Sequence, residues 1–520
     1  MKKILMIVAV LWSGLTIAQD SLATRYANTI TAEELSEHLM VLASDEYEGR
    51  ETGKKGQKMA AKYISAYFSN LGVEGCVNGA YTQEFPLRTE RTNRATLKVG
   101  ENAYSFYDEF YFFPGFDASE VSGDLVFVGY GVNSEGYDDY AGLDVKGKVV
   151  VALPGEPKRK DGSYVISGSN EPSEWSGDWR LKRSLAQEKG AKALLMLNED
   201  YDRYLGRIKY YLENPGMRLD MERTEREEVL PTFFLSNAAF INALGGEKQQ
   251  KKIMKKLPKK GSSLNKEVGE SVTINMDRSL DNFTSENVLC YIPGSDEEMA
   301  KELVVVTAHY DHVGRNEEEI FNGADDDGSG TVTVLEIAEA FKQAVDEGNG
   351  PKRSVLIMTV SGEEKGLLGS EWYVTHPVFP LENTVANLNV DMIGRVDEQH
   401  ADNENYIYLI GSDKLSTELH AISEEMNDTY TKIDLDYTYN DPKDPNRFYY
   451  RSDHYNFAKN NIPVIFYFSG VHEDYHQPTD TPDKIMYEKT ANIGKLIFHT
   501  AWELANRKDK IKVDVQNDFE

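Results

Sequence analysis

Five short stretches carry the residues of this chain that could act together on a substrate. They are His309-Tyr310-Asp311, Asn322-Gly323-Ala324-Asp325-Asp326-Asp327-Gly328-Ser329-Gly330, Ser361-Gly362-Glu363-Glu364, Asn389-Val390-Asp391 and Tyr475-His476. Their key members run in the order His, Asp, a Glu pair, Asp, His. That inventory supplies five oxygen and nitrogen ligands and one carboxylate to spare. Two zinc ions sharing a water need such a set, and hydrolysis of a peptide bond is its usual use.

His309 closes an apolar run at 303–308. In an open parallel sheet, ligands bind outside the carboxyl ends of the strands, so a His there can aim a ring nitrogen into the cleft. Asp311, two residues on, can orient that ring or a neighbouring ligand, whereas His312 reads as structural. Asp325-Asp326-Asp327 precedes a helix, where Asp and Ser are ordinary caps. Three consecutive Asp exceed what a cap requires. Gly323 and Gly328 flank them and permit a tight backbone, so one of the three could bridge two cations. Glu363 and Glu364 diverge in direction: one can ligate while the other faces substrate as a general base. A Glu pair equally suits the first turn of a helix. A carboxylate at Asp391, ending an apolar strand, is costly unless paired or on a metal. His476 sits in a loop with turn chemistry, and Ser452-Asp453-His454 reads as supporting structure. Each signal alone has an ordinary structural explanation. Their joint placement at successive strand ends points to one site.

The elements that must position these residues follow from periodicity. Near-continuous apolar runs at 303–308, 354–360, 386–390 and 463–468 alternate with amphipathic helices, one of them carrying Val334, Leu335, Ala338, Phe341 and Val345. Strands apolar on both faces, alternating with helices, predict an α/β fold with a mainly parallel mixed sheet covered by helices on both faces. Nine of the ten histidines fall from 284 onward, and none lies between 88 and 283. Upstream, a helix is expected over 32–43, with Thr31 as cap and Glu34 three residues on. A polar loop with two glycines follows at 44–53, then a second helix over 56–71. Between 88 and 283 the texture changes to short strands, near 124–128, 148–153 and 193–197, with a helix near 179–189. The basic run at 251–260 reads as a solvated surface segment.

At 520 residues the chain is too long for one ordinary core. Its net charge of −29 argues against nucleic acid as a partner, because phosphates would be repelled. Lys2 and Lys3, an apolar stretch at 4–15 and the small residues of Thr16-Ile17-Ala18 read as a secretory signal cleaved near Ala18, giving an exported protein, periplasmic or extracellular. The stretch is shorter than the ~20 residues a spanning helix needs, so no membrane attachment is expected after its removal. Cys76 and Cys290 could be joined in an oxidising compartment or stay separate thiols.

On these motifs the chain resembles metallopeptidase family twenty-eight, the co-catalytic zinc aminopeptidase group. The resemblance implies two zinc ions per chain and a peptide substrate. It implies His309, Asp326 and Asp391 on one zinc, with Asp326, Glu364 and His476 on the other, so that Asp326 bridges. Glu363 matches the family's catalytic base, Asp311 the carboxylate beside the first ligand, and Tyr475 a tyrosine that helps polarise the scissile carbonyl. Ser44-Asp45-Glu46-Tyr47-Glu48-Gly49-Arg50 looks like the family's opening loop. The segment 88–283 resembles an inserted, smaller protease-associated domain rich in β-structure, a likeness carried by residues 139–148. The implied organisation is a signal at 1–18, an N-terminal helical part at 19–87, the insertion at 88–283, the zinc peptidase domain at 284–506 and a frayed polar tail at 507–520. The expected activity is aminopeptidase hydrolysis. Alternatives are a carboxypeptidase- or dipeptidase-type member, for which Arg451 could bind the substrate carboxylate, or a non-catalytic binding module of the same architecture.

Overall fold

A computed structural model of the chain describes residues 20–213, 216–220, 229–260 and 266–516; the proposed signal at 1–18 lies outside them. The chain divides into two compact units, Met1–Leu87 with Phe283–Glu520, and Arg88–Asn282.

The first unit is built on a mixed sheet of residues 283–292 of strand β1 (Lys266–Ile292) with strands β2 (Leu303–His309), β3 (Ser354–Val360), β4 (Thr384–Val390), β5 (Tyr406–Ile410), β6 (Asp434–Asp436) and β7 (Val464–Phe468). The spatial order is β6-β5-β7-β4-β2-β3-β1. β3, β2, β4 and β7 run parallel to one another. β5 reverses against β7, and residues 288–292 of β1 reverse against β3.

Every residue of β2, β3, β4 and β7 is buried. Alternate side chains feed two different cores, as the period-2 geometry of a strand requires. Val304, Val306 and Ala308 join one, with helices α1 (Ser21–Ala27), α2 (Ala32–Leu42), α3 (Lys55–Asn70), α4 (Gly330–Asp346) and α8 (Tyr487–Asn506). Leu303 and Val305 join the other, with α5 (Leu368–Thr375) and α7 (His454–Ala458). Burial on both faces is why these strands read as unbroken apolar runs. The result is an α/β fold with a mostly parallel sheet.

Thr31 Oγ1 accepts the Glu34 amide at 3.3 Å and donates to the Glu34 carboxylate at 2.7 Å, which starts α2 where its sequence expects it. α1 is an addition, capped by Asp20, whose carboxylate accepts the amides of Leu22 and Ala23. Of the segment expected to fray, residues 507–516 are described: Ile511 is only 4% exposed, and Asp514 accepts the Thr417 amide at 2.9 Å, at the start of α6 (Thr417–Met426). One isoleucine among lysines gives no local sign that it docks. Cys76 and Cys290 are free thiols.

In the second unit, parallel strands Glu120–Phe127, Val149–Ala152, Ala193–Leu197 and Thr232–Leu235 lie side by side in that order. Phe110–Phe112 closes the row antiparallel. The helix Trp179–Glu188 is capped by Asp178. The basic run falls in the helix Glu247–Lys260. Among the described residues, no helix is long and apolar enough to cross a membrane.

Candidate metal centre

Because β2, β3, β4 and β7 are parallel, their carboxyl ends share one edge of the sheet. His309 ends β2, Glu363 and Glu364 follow β3, Asp391 follows β4, and the loop after β7 carries Tyr475 and His476. Asp326 enters from the loop before α4. That loop turns at Gly323, whose φ of +57° is left-handed and favours glycine.

The opening loop fixes this edge from below. At 45–50 it forms a 3₁₀ turn with Glu48, Gly49 and Arg50 all at positive φ. It turns the Arg50 side chain, 1% exposed, into the interior. There the guanidinium donates to four backbone carbonyls: Tyr310 and Gly323 at 2.8 Å, Leu42 at 2.9 Å and Asn322 at 2.7 Å. One side chain thus ties the turn after β2 to the acidic loop.

The predicted ligands converge. His309 Nε2 stands 3.3 Å from Asp326 Oδ1 and 3.6 Å from Asp391 Oδ1. His476 Nε2 stands 3.0 Å from Asp326 Oδ2 and 3.2 Å from Glu364 Oε2. The two oxygens of Asp326 therefore face two different imidazoles. Glu363 Oε2 lies 3.9 Å from His309 Nε2. The His309 Nδ1 is 3.0 Å from the Asp311 backbone carbonyl. A carbonyl can only accept, so Nδ1 carries a proton, and Nε2 is left facing the carboxylates, where it could ligate a cation.

Asp311 itself works on the neighbouring ligand segment. Its carboxylate accepts the Glu363 amide at 3.3 Å and the Thr52 hydroxyl at 2.6 Å, while staying 3.9 Å from the His309 ring. Asp327 lies close enough to His309 and Asp391 to belong to a metal-ligand cluster. However, its oxygens already accept the amides of His309 at 3.1 Å, Gly330 at 2.9 Å and Met392 at 3.1 Å. It is the clamp between three ligand-bearing segments. Asp391 Oδ2 accepts the Ser452 hydroxyl at 2.6 Å, leaving Oδ1 for the site. The loop at 469–481 is anchored twice: His472 Nε2 lies 3.1 Å from Asp325 Oδ2, and Asp474 meets Arg395 at 3.1 Å and Lys484 at 2.7 Å.

Electrostatics follow from this crowding. Burial opposes ionisation of Asp326, yet the imidazoles of His309, His312 and His476 hold its carboxyl well below the usual range. Burial lowers His476, but Asp326 and Glu364 overcome it and push it up to about 10. Glu363 goes the other way: burial, with Asp391, Glu364 and Asp453 nearby, raises it well above an ordinary glutamate despite His309. Tyr475 is raised by burial and by the charges of Asp326 and Glu364, so its hydroxyl keeps its proton.

These residues fit a bound cation pair. Asp326 Oδ2, Glu364 Oε1, His476 Nε2 and His312 Nδ1 are all buried without a hydrogen-bond partner. Buried polar atoms are rarely left so, and four lone-pair donors aimed together are what a metal ion satisfies. His312 is the residue that sequence reasoning set aside as structural: its Nδ1 lies 2.9 Å from Glu364 Oε1. A His three positions past a predicted ligand is the only signal its sequence offers. Beside the cluster runs a small cleft whose apolar wall is Met392, Phe448, Phe466, Phe468 and Val471, with Tyr475 and Arg451 at its polar side. A larger cavity of about 390 Å³ lies elsewhere, lined by Asp413, Tyr439 and Asp444 among others, and contains none of the ligands.

Residues 287–501, which hold every one of these ligands, match the family model described as Peptidase family M28. This part of the chain is similar to peptidase family M28. A probable leucine aminopeptidase of Arthroderma otae is 32% identical over 227 residues, 42% of this chain and 57% of that protein. The aminopeptidase YwaD of Bacillus subtilis is 28% identical over 261 residues, 48% of this chain and 52% of its own length. The chain thus spans little more than half the length of these curated relatives. The solved structure of an aminopeptidase from Aneurinibacillus sp. strain AM-1 aligns over 95% of this chain and 98% of its own at 19% identity, with a TM-score of 0.49. The M28 segment does not include Arg50 or helices α1–α3, which nonetheless complete its core.

Proposed function

We propose that this chain is an exported, two-zinc exopeptidase that hydrolyses the N-terminal residue from peptides. The observation that carries the reading is the bridging posture of Asp326, with Oδ1 3.3 Å from His309 and Oδ2 3.0 Å from His476. His309, Asp326 and Asp391 would hold one zinc, and Asp326, Glu364 and His476 the other. When bound, the zinc pair supplies Lewis acidity, which lowers the pKa of water and polarises a carbonyl.

Glu363 faces the same space and is a ligand to neither group. Its raised affinity for a proton suits a base that takes a proton from the attacking water and returns it to the leaving amine as the C–N bond breaks. Tyr475 keeps its proton and can donate it as a hydrogen bond to the carbonyl oxygen while negative charge develops there. Asp311 holds the Glu363 backbone and Ser452 holds Asp391. The apolar wall of Met392, Phe448, Phe466, Phe468 and Val471 would receive an uncharged side chain. The sequence pattern at 1–18 supports export, and residues 139–148 support a protease-associated insertion over 88–283.

The test is hydrolysis of aminoacyl p-nitroanilides by full-length protein, with zinc counted per chain and a matched N-acetylated series. Leucyl and phenylalanyl substrates should be cleaved, N-acetylated ones should not, and chelation should abolish turnover. Cleavage of N-blocked peptides would turn the assignment to a carboxypeptidase. One observation favours that second reading: Arg451 Nη2 lies 3.5 Å from the Tyr475 hydroxyl, which puts a cation beside the cleft. Two zinc ions with no turnover of either series would leave a binding module.

A further inference from the structure

We propose that the cavity of about 390 Å³, which shares a wall with the cleft, is a second ligand site that takes one free α-amino acid with an apolar side chain and thereby tunes the cleft. The proposal stands whichever end of a peptide is cut.

The two hollows are separated by a partition of aromatic rings. Phe448 and Phe468 line the cleft, whereas Tyr439, Tyr449 and Tyr450 line the cavity. Tyr439 packs against Phe448 at 4.7 Å and Phe468 at 6.4 Å between ring centroids, and those two rings meet each other at 4.9 Å. The short helical turn Phe448–Tyr450 thus gives its first ring to the cleft and the next two to the cavity. Interiors are close-packed, so an occupant that displaces Tyr439 or this turn also displaces the apolar wall of the cleft.

The cavity is held in shape before any ligand arrives. Asn440 makes three hydrogen bonds there: its side chain donates to Asp413 at 2.6 Å and accepts the Gly411 amide at 2.8 Å, and its carbonyl accepts the Lys414 ammonium at 2.8 Å. Gly411, just past β5, has a φ of +87°, and a Cβ there would stand 2.8 Å from the Tyr449 ring. The glycine makes the turn and admits the tyrosine. Asp444 accepts the amides of Asn446 and Phe448, each at 3.0 Å, on either side of Arg447 with its left-handed φ of +56°. The guanidinium lies 4.5 Å from the centre of the Tyr450 ring, and the Lys414 ammonium 5.0 Å from that of Tyr449. Each cation rests on an aromatic face at the cavity wall.

This wall carries both signs of charge. Lys414 and Arg447 are cations, Asp413 and Asp441 are carboxylates, and the tyrosines add apolar faces. A wall of one sign would select an ion of the other. A wall of both signs with aromatic faces matches a molecule that has an ammonium, a carboxylate and an apolar side chain. Lys414 gives one of its three N–H donors to Asn440, which leaves capacity for a carboxylate. The volume is at the small end of the roughly 300–1,000 Å³ usual for small-molecule sites, which suits one amino acid better than a peptide.

Titration calorimetry of L-leucine into full-length, zinc-loaded protein tests this. The wild type should bind leucine in the cavity as well as in the cleft. Lys414→Met keeps the stem on the Tyr449 ring and removes the charge. It should weaken one of the two binding events by about tenfold or more, with kcat in the absence of free leucine unchanged. Free leucine should lower kcat on alanyl p-nitroanilide in the wild type, and raise only KM in the variant. Leucine binding that Lys414→Met leaves intact would overturn the proposal. Should that variant fail to fold, Val515→Trp, which fills the cavity from another side, should cause the same loss. Leucinamide lacks the carboxylate and N-acetyl-leucine lacks the ammonium; equal occupancy of the cavity by either would also overturn it. A protein that turns over no aminoacyl substrate would sink the aminopeptidase reading alone, because the calorimetry needs no turnover.

Discussion

The carboxylate of Asp480 accepts the backbone amide of Asp326 at 3.2 Å across 154 positions of chain. It also accepts the amide of Asp325 at 3.0 Å. The loop that carries His476 is thereby fastened to the loop that carries Asp326, and the two side chains meet at 3.0 Å. Orienting contacts of this kind are worth about 10- to 100-fold in metal affinity or activity. Asp480→Ala should therefore lose about that much zinc affinity, read by chelator competition, while the far-UV spectrum stays native. Asp480→Asn keeps one acceptor oxygen and should recover part of the loss.

In the proposed mechanism Glu363 transfers a proton and holds no metal. Glu363→Gln preserves shape and removes the base. The variant should retain its full complement of zinc and lose about 10²- to 10⁴-fold in kcat. Unchanged turnover would show that another group takes the proton.

Tyr475 stacks on His476 at 4.0 Å between ring centroids and offers its hydroxyl to the cleft. Tyr475→Phe keeps the stack and deletes the donor. Loss of a hydrogen bond made mainly in the transition state should lower kcat by about 10²-fold with little change in KM. A rise in KM alone would mean that the hydroxyl merely binds substrate.

Arg50 touches no ligand side chain, yet four carbonyls depend on it. Arg50→Met would leave those of Leu42, Tyr310 and Asn322 without this donor, while Gly323 still accepts the Gly328 amide at 3.3 Å. The expected cost is roughly 3–5 kcal/mol of unfolding free energy, read as a lower urea midpoint for the metal-free protein. A shift below about 1 kcal/mol would mean that water replaces the guanidinium.

His454 and His499 set an acid limit on stability. Burial lowers His454 to about 3 and His499 to about 4. Both stay neutral in the fold. Below the ordinary histidine pKa of about 6.5 the unfolded chain takes up protons that the fold refuses. Stability is whole above that pH and falls as pH drops toward the folded values, by at most about 1.4 kcal/mol per unit for each residue. Between pH 7 and 5 the urea midpoint of the wild type should fall more steeply than that of His454→Phe. Parallel curves would refute a neutral His454.

The amino-acid sequence by itself determined the local elements and the types of donor. The runs at 303–308 and 354–360 had to be buried strands, because apolar side chains on both faces leave them no solvent side. Thr31 with Glu34 had to start a helix, because the threonine oxygen satisfies an amide that the first turn leaves unpaired. A strand-end His, a triple Asp, a Glu pair, an Asp and a loop His were legible as a candidate ligand set for the same reason: their chemistry is carried by residue type. Three-dimensional structure alone decided which atoms meet. Nothing near position 312 indicates that its ring turns toward Glu364, nor anything near 50 that its guanidinium collects carbonyls from three other segments. The fastening of Asp480 to Asp326 and the docking of Ile511 are equally silent along the chain. Periodicity and propensity act over a few residues, whereas these contacts depend on strand order and on the parallel sense of β3, β2, β4 and β7, which bring distant loops to one edge.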